Sequence, residues 1–218
     1  MRSVFPLALL LAAAVSGWSA SKPHVVALGK AQQVKIFVGA EEAQVLSISV
    51  RPLYVDTKLK EFTTGYLHDV TDRLFVVQRA FRINDGLPDD KPRQSKWVWQ
   101  RGGWMLVDRG SGHITQLRLP DFDPSYSDIS WYRDYAAYCG ISESGERAYT
   151  VVAQVGGHKP VYRKELSKAP SETTGAGCAA AHWERHPARV TFQPNGGDPF
   201  TVNVRTRQVN EPQDSAAE

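Results

Sequence analysis

The stretch YAAYCGISESGERAYTVVAQ, residues 135–154, decides the fold class of this chain. Two runs rich in aromatic and β-branched residues, 135–141 and 147–154, flank the turn signal Ser144-Gly145. Such short runs, bounded by serine and glycine, are typical of β strands joined as a hairpin. The stretch therefore predicts two neighbouring antiparallel strands.

The same pattern extends outward over most of the chain, and no long segment shows the apolar period of a helix. Further turn signals, such as Asp85-Gly86 and Gly102-Gly103, separate the runs. We predict an all-β fold of antiparallel sheets, with a sandwich or partly propeller-like architecture. The predicted strands are 25–28, 33–38, 45–55, 74–83, 96–100, 104–107, 113–119, 135–141, 147–154, 160–166, 189–193 and 200–205.

The chain of 218 residues is long enough for one large β domain. We predict a single β domain at 21–209, with a small separate N-terminal part at 21–66 as the alternative. The segments 86–95 and 167–177 are polar and rich in proline, glycine, serine or threonine, which predicts loops. Residues 210–218 are predicted to form a disordered tail.

The N-terminal region has the organisation of a secretory signal peptide. A positive Arg2 precedes an apolar run at 4–15, and small residues follow at 16, 17, 19 and 20. This order predicts a signal peptide at 1–20, with cleavage between about 17 and 20. We therefore expect a secreted or periplasmic protein without a transmembrane segment after cleavage; a short uncleaved anchor is the alternative.

Cys139 and Cys178 are the two cysteines of the chain. In an oxidising compartment an even pair predicts a disulfide. Closing a loop of about 40 residues would stabilise the fold by roughly 4 kcal/mol in the chain-entropy model. Free thiols or metal ligands are the alternative interpretation.

The formal net charge of +3 includes Arg2, so the mature chain is nearly balanced. Binding to nucleic acids usually requires a concentrated basic surface. We expect no nucleic-acid partner.

Two segments in the middle of the chain resemble parts of a β-propeller blade. WMLVDRGSGHITQL at 104–117 resembles an outer blade hairpin, and SESGERAYTV at 142–151 is similar to the turn and strand of TolB-like and WD-repeat blades. The phrases VRPLYV at 50–55 and SWYRDYAAYCG at 130–140 resemble those of uncharacterised predicted secreted bacterial proteins, a resemblance that implies no activity.

Three polar clusters have residue types suited to chemistry. On a helix, Cys178, His182 and His186 would share one face with spacing suited to zinc; a disulfide at Cys178 is the favoured interpretation. His68, Asp69 and Asp72 precede the 74–83 strand as a candidate acid–base group, with turn capping as the commoner alternative. The third cluster offers oxygen ligands for calcium, again with turn capping favoured, at Asp121, Asp123 and Asp128.

The densest aromatic region runs from Trp97 to Tyr138. Rings with polar neighbours suit a sugar or peptide surface, which predicts a ligand site at Trp131, Tyr132, Arg133 and Asp134. The alternative is that most of these rings fill the core. We expect an exported, non-enzymatic binding or envelope-scaffold module with a protein or glycan partner and no cofactor. The alternative is a hydrolase of extracellular polymers that uses paired carboxylates such as Asp69, Asp72 or Asp134.

Overall fold

The computed structural model describes residues 24–38, 44–86, 97–166 and 178–204, and these form strands and turns without a helix. The all-β prediction is therefore confirmed. The predicted signal peptide (1–20), the loop 167–177 and the tail 210–218 lie outside the described residues, as does the predicted loop 86–95 beyond residue 86.

The strands are numbered β1–β14 in chain order. They are β1 (Val26–Leu28), β2 (Gln32–Val38), β3 (Gln44–Val55), β4 (Lys58–Asp69), β5 (Leu74–Asn84), β6 (Trp97–Asp108), β7 (Ile114–Gln116), β8 (Ser130–Tyr132), β9 (Tyr135–Ile141), β10 (Ala148–Gln154), β11 (Tyr162–Glu165), β12 (Cys178–Arg185), β13 (Ala188–Pro194) and β14 (Phe200–Asn203).

The first sheet closes on itself. Its order is β1-β3-β2-β6-β5-β4, β7 also pairs with β6, and a further pairing of β3 with β4 completes a ring of five strands. The neighbours are antiparallel except β2 and β6, which run parallel and are joined at Ile36 and Trp99. Apolar side chains fill the interior of the ring: Leu53, Phe75, Val77, Met105 and Val107.

The second sheet, β11-β10-β9-β8, lies between the first sheet and the third sheet, β12-β13-β14. One face of β9 and β10 packs on the third sheet through Ala137, Cys139 and Val152. The opposite face packs on the first sheet through Tyr138 and Val151. Because both faces are buried, these two strands have continuous apolar runs instead of alternating ones, and this explains the quoted stretch.

The predicted disulfide is confirmed. Cys139 of β9 and Cys178 of β12 are bonded, with their Cα atoms 5.8 Å apart. Both side chains lie in the core between the second and third sheets, beside Phe192, which is fully buried. The bond therefore fastens the two layers of a sandwich to each other.

The connection between β7 and β8 lies tightly against β9. The backbone carbonyl of Asp121 accepts a hydrogen bond from the Ile141 N–H at 2.8 Å. A Cβ atom at Gly140 would lie only 2.2 Å from that carbonyl oxygen, so the contact requires glycine. The Tyr138 hydroxyl donates to the Pro120 carbonyl at 2.6 Å, and burial together with the charge of Asp121 raises the pKa of Tyr138 far above its usual range.

The strand predictions fail at β4, β8 and β12. The β4 sequence, KLKEFTTGYLHD, is too polar to have the pattern of a strand, but it pairs with β3 on one side and β5 on the other. The Gly102-Gly103 turn prediction is also wrong, since both glycines lie inside β6. Each of these strands pairs with a neighbour along the chain, β4 with β3 and β5, β8 with β9 and β12 with β13. The propensity of a strand's own residues does not take this pairing into account.

Candidate ligand-binding cleft

Strand β6 changes its partner halfway along one edge. Near its start it pairs with β2 at Trp99, and near its end it pairs with β7 from Met105 to Val107. In the described part of the chain, neither neighbour has a ladder pairing with residues 100–103. Within the described residues, this segment therefore lies between the pairings of β2 and β7, as between the arms of a fork.

A β-bulge shapes β6 at the same place. Gln78 pairs with Trp104 and Ala80 with Arg101, so that Gly102 and Gly103 together oppose a single residue of β5. The buried Gln78 side chain donates its amide N–H to the Gly102 carbonyl at 3.1 Å. Bulges bend a strand and are frequent beside functional sites. Here the bulge lies between the residues of β6 that pair with β2 and those that pair with β7.

The fork encloses a cleft of about 680 Å³, which we call the fork cleft. This volume is within the range of about 300 to 1,000 Å³ usual for ligand pockets. Apolar side chains border much of it: Ile36, Phe37, Phe81, Met105 and Ile114. Polar or small residues complete the lining: Glu61, Arg79, Gln100, Arg101, Gly102, Gly103, Gln116, Asp123, Pro124 and Ser125.

The charged residues of the fork cleft are balanced in sign. Arg79 donates from Nε to the Glu61 carboxylate at 2.9 Å, and its guanidinium lies 5.8 Å from the centre of the Phe81 ring. The Asp123 carboxylate caps its own turn by accepting from the N–H groups of Ser125 and Tyr126. Together with Arg101, the lining offers both donors and acceptors above an apolar floor.

The predicted ligand site at Trp131 to Asp134 is a packed aromatic cluster. The Trp131 side chain is 8% exposed, the His68 ring is stacked on it at 5.7 Å, and Trp104 meets it edge-on at 5.0 Å. Tyr132 lies against Trp183 at 5.4 Å and beneath the Arg133 guanidinium at 5.5 Å. The faces of both predicted ligand-binding rings are therefore engaged by neighbours within the chain.

The polar members of this cluster also have internal roles. Arg133 adopts a positive φ of 52°, and its carbonyl lies 2.7 Å from Nε2 of His68. The Asp134 carboxylate accepts a hydrogen bond from the Gln154 side chain at 2.7 Å. The core interpretation is confirmed for the most buried aromatic residues of this region: Trp104, Trp131, Tyr135 and Tyr138.

Two of the three carboxylates named for a hydrolase, those of Asp69 and Asp134, bind side chains within the fold. Asp69 binds Arg109 at 2.6 Å, and the Asp72 carbonyl accepts a hydrogen bond from the same guanidinium. His68 and Asp69 do not lie in the turn before the 74–83 strand. They end strand β4, whose last residues pair with the start of β5. The structure thus gives Asp69 and Asp72 a shared role in positioning Arg109.

The predicted metal ligands are not brought together. Cys178 is bonded to Cys139, and residues Cys178–Arg185 form strand β12. The helical face that would bring Cys178, His182 and His186 together therefore does not form. Of the calcium candidates, Asp121 binds the Arg163 guanidinium through both carboxylate oxygens and Asp123 caps its turn. Among the described residues, no group of three or more His, Cys, Asp or Glu side chains is arranged to hold a metal ion.

No family model matches this chain, and neither a curated protein nor a solved structure matches it. Within the described ranges, no helix is long and apolar enough to cross a membrane.

Sequence reasoning misses the fork cleft because the pair Gly102-Gly103, taken alone, indicates a turn. The available signal was the position of this pair between two apolar runs, 97–99 and 104–107, that can form one bulged strand.

Proposed function

We propose that this chain is an exported, non-enzymatic binding module whose ligand occupies the fork cleft. The observation that carries the proposal is the concave lining at the β6 bulge, in which an apolar floor meets a few convergent polar groups. This combination is the usual character of a ligand site. The disulfide between Cys139 and Cys178 supports export, because such bonds persist in oxidising compartments.

The contrast with the aromatic cluster supports this choice of site. A sugar ring stacks on an open aromatic face, whereas the faces of Trp131 and Tyr132 are covered by His68, Trp183 and Arg133. At the fork cleft, by comparison, Phe37 is 38% exposed, while Ile36 and Met105 are buried beneath the opening. Binding at the fork cleft therefore needs no rearrangement of the core.

The test uses the fluorescent probe N-phenyl-1-naphthylamine, an apolar molecule small enough for the cleft. The Gln116→Trp variant places a large ring over the cleft, since the Gln116 amide already lies 3.3 Å from where a Gly103 Cβ would be. Thr115→Trp is the matched control, because Thr115 is the neighbouring exposed residue of β7 and does not line the cleft. Thermal unfolding of both variants verifies that they are folded.

We expect the wild type to bind one probe molecule per chain, and Gln116→Trp to weaken binding at least tenfold, which is about 1.4 kcal/mol. Thr115→Trp should change the affinity less than twofold. Equal binding by Gln116→Trp and the wild type, or the lack of saturable binding to the wild type, would overturn the proposal.

A further inference from the structure

The geometry points to an extended peptide as the ligand of the fork cleft, added as a short strand to the open edge of β6 between β2 and β7. This inference rests on the proposed function, because it identifies the class of ligand for the same site. The feature that would bind the peptide is the backbone edge of β6, not a pocket for one side chain.

Four consecutive residues of β6, 100–103, line the fork cleft. Side chains of a strand alternate between its two faces, so a lining of consecutive residues means that the strand presents its backbone edge. In the described structure residues 100–103 have no ladder partner on this edge, and the next carbonyl, that of Trp104, accepts a hydrogen bond from the Leu117 N–H at 2.8 Å. Four residues extend over about 13 Å, enough for a short peptide segment to form its first hydrogen bonds.

Gly103 lowers the steric barrier to a second backbone at the open edge. A Cβ atom at Gly102 would lie 3.2 Å from the Arg79 Cβ, and one at Gly103 would lie 3.3 Å from the Gln116 amide nitrogen. Glycine within a strand often marks the close approach of another backbone. Gly102 thus allows close packing of β6 on β5, whereas Gly103 lacks a side chain on the β7 side of the open edge.

The remaining lining suits the side chains of such a peptide. Peptides that extend a sheet gain affinity from main-chain hydrogen bonds and specificity from pockets for alternate side chains. Ile36, Met105 and Ile114 provide an apolar floor, while Arg79 and Glu61 form a rim with both signs of charge. A chain with alternating apolar and polar side chains matches this arrangement.

The flanking strands favour a single peptide segment over a second folded copy of this chain. Paired stretches of β2 and β7 border the open edge at its two ends, at Trp99 and Met105. A folded partner that paired edge to edge would have to fit between them, whereas one extended segment needs only the spacing of about 4.8 Å between strands. The fork thereby protects the edge from self-association.

The experiment selects peptides from a phage-displayed library of random heptapeptides. Selection is for binding to the full wild-type chain, with depletion on Gln116→Trp and with Thr115→Trp as the matched control. The selected peptide is then synthesised as a series in which each backbone amide in turn is N-methylated. Affinities are measured by fluorescence anisotropy.

Within the stretch of about four peptide residues that fits the open edge, we expect N-methylation at alternate residues to weaken binding at least tenfold, and at the intervening residues less than threefold. The period of two arises because only every second residue of an added strand directs its N–H toward the neighbouring edge. A uniform or irregular response, or no peptide that discriminates between wild type and Gln116→Trp, would overturn the inference. In that case retained one-to-one binding of N-phenyl-1-naphthylamine would leave the proposed function standing, whereas its loss would overturn both.

Discussion

Replacing Gly140 by alanine should loosen the connection that covers β9. The new Cβ would lie 2.2 Å from the Asp121 carbonyl oxygen, while an ordinary contact needs roughly 3.5 Å. The carbonyl must therefore retreat by about 1 Å, which extends its 2.8 Å hydrogen bond from the Ile141 N–H beyond the normal range. Loss of this bond, at about 1 kcal/mol, and overpacking, at about 1 to 3 kcal/mol, together lower the free energy of unfolding by about 2 to 4 kcal/mol.

Urea unfolding followed by tryptophan fluorescence measures this loss, and Gly197→Ala provides the control. Gly197 lies in the turn between β13 and β14, where a Cβ would meet nothing closer than 3.5 Å. Alanine there should leave stability unchanged or raise it slightly, because it restricts the unfolded chain. If Gly140→Ala costs no more than Gly197→Ala, the argument from close approach is refuted.

Three further predictions concern the core and the surface. The double variant Cys139→Ala with Cys178→Ala should lose about 4 kcal/mol of unfolding free energy in urea, and an unchanged midpoint would contradict this. Phe192→Ala leaves a cavity between the second and third sheets, so a loss of about 3 to 5 kcal/mol is expected in the same assay. Arg73 holds the pKa of Asp108 well below its usual range. The pair therefore stabilises the fold above about pH 4 and loses this effect as the pH falls, so Asp108→Asn should reduce the acid dependence of unfolding; an unaltered pH profile would count against the pair.

Local pattern was sufficient to predict several parts of the fold. The runs at 135–141 and 147–154 match β9 and β10 almost residue for residue, because a strand buried on both faces needs an apolar side chain at nearly every position. The disulfide was predictable for a similar reason, since the chain contains two cysteines and each has one potential partner.

The position of the candidate site was not predictable in the same way. Aromatic composition drew attention to Trp131 and Tyr132, but composition does not show whether a ring has an open face. That depends on His68 of β4 and Trp183 of β12, from two strands that the sequence did not reveal. The contacts of these rings with His68 and Trp183 join residues more than 50 positions apart.

By itself, the sequence determined the strand-forming runs, the cysteine pair and the all-β class, because each depends on side chains close together in the chain or on simple composition. Only the tertiary structure decided that β6 bulges at Gly102 and Gly103 and that, among the described residues, neither β2 nor β7 pairs with 100–103. Backbone hydrogen bonding is nearly independent of side-chain identity, so the partner of each strand edge follows from the packing of the whole chain.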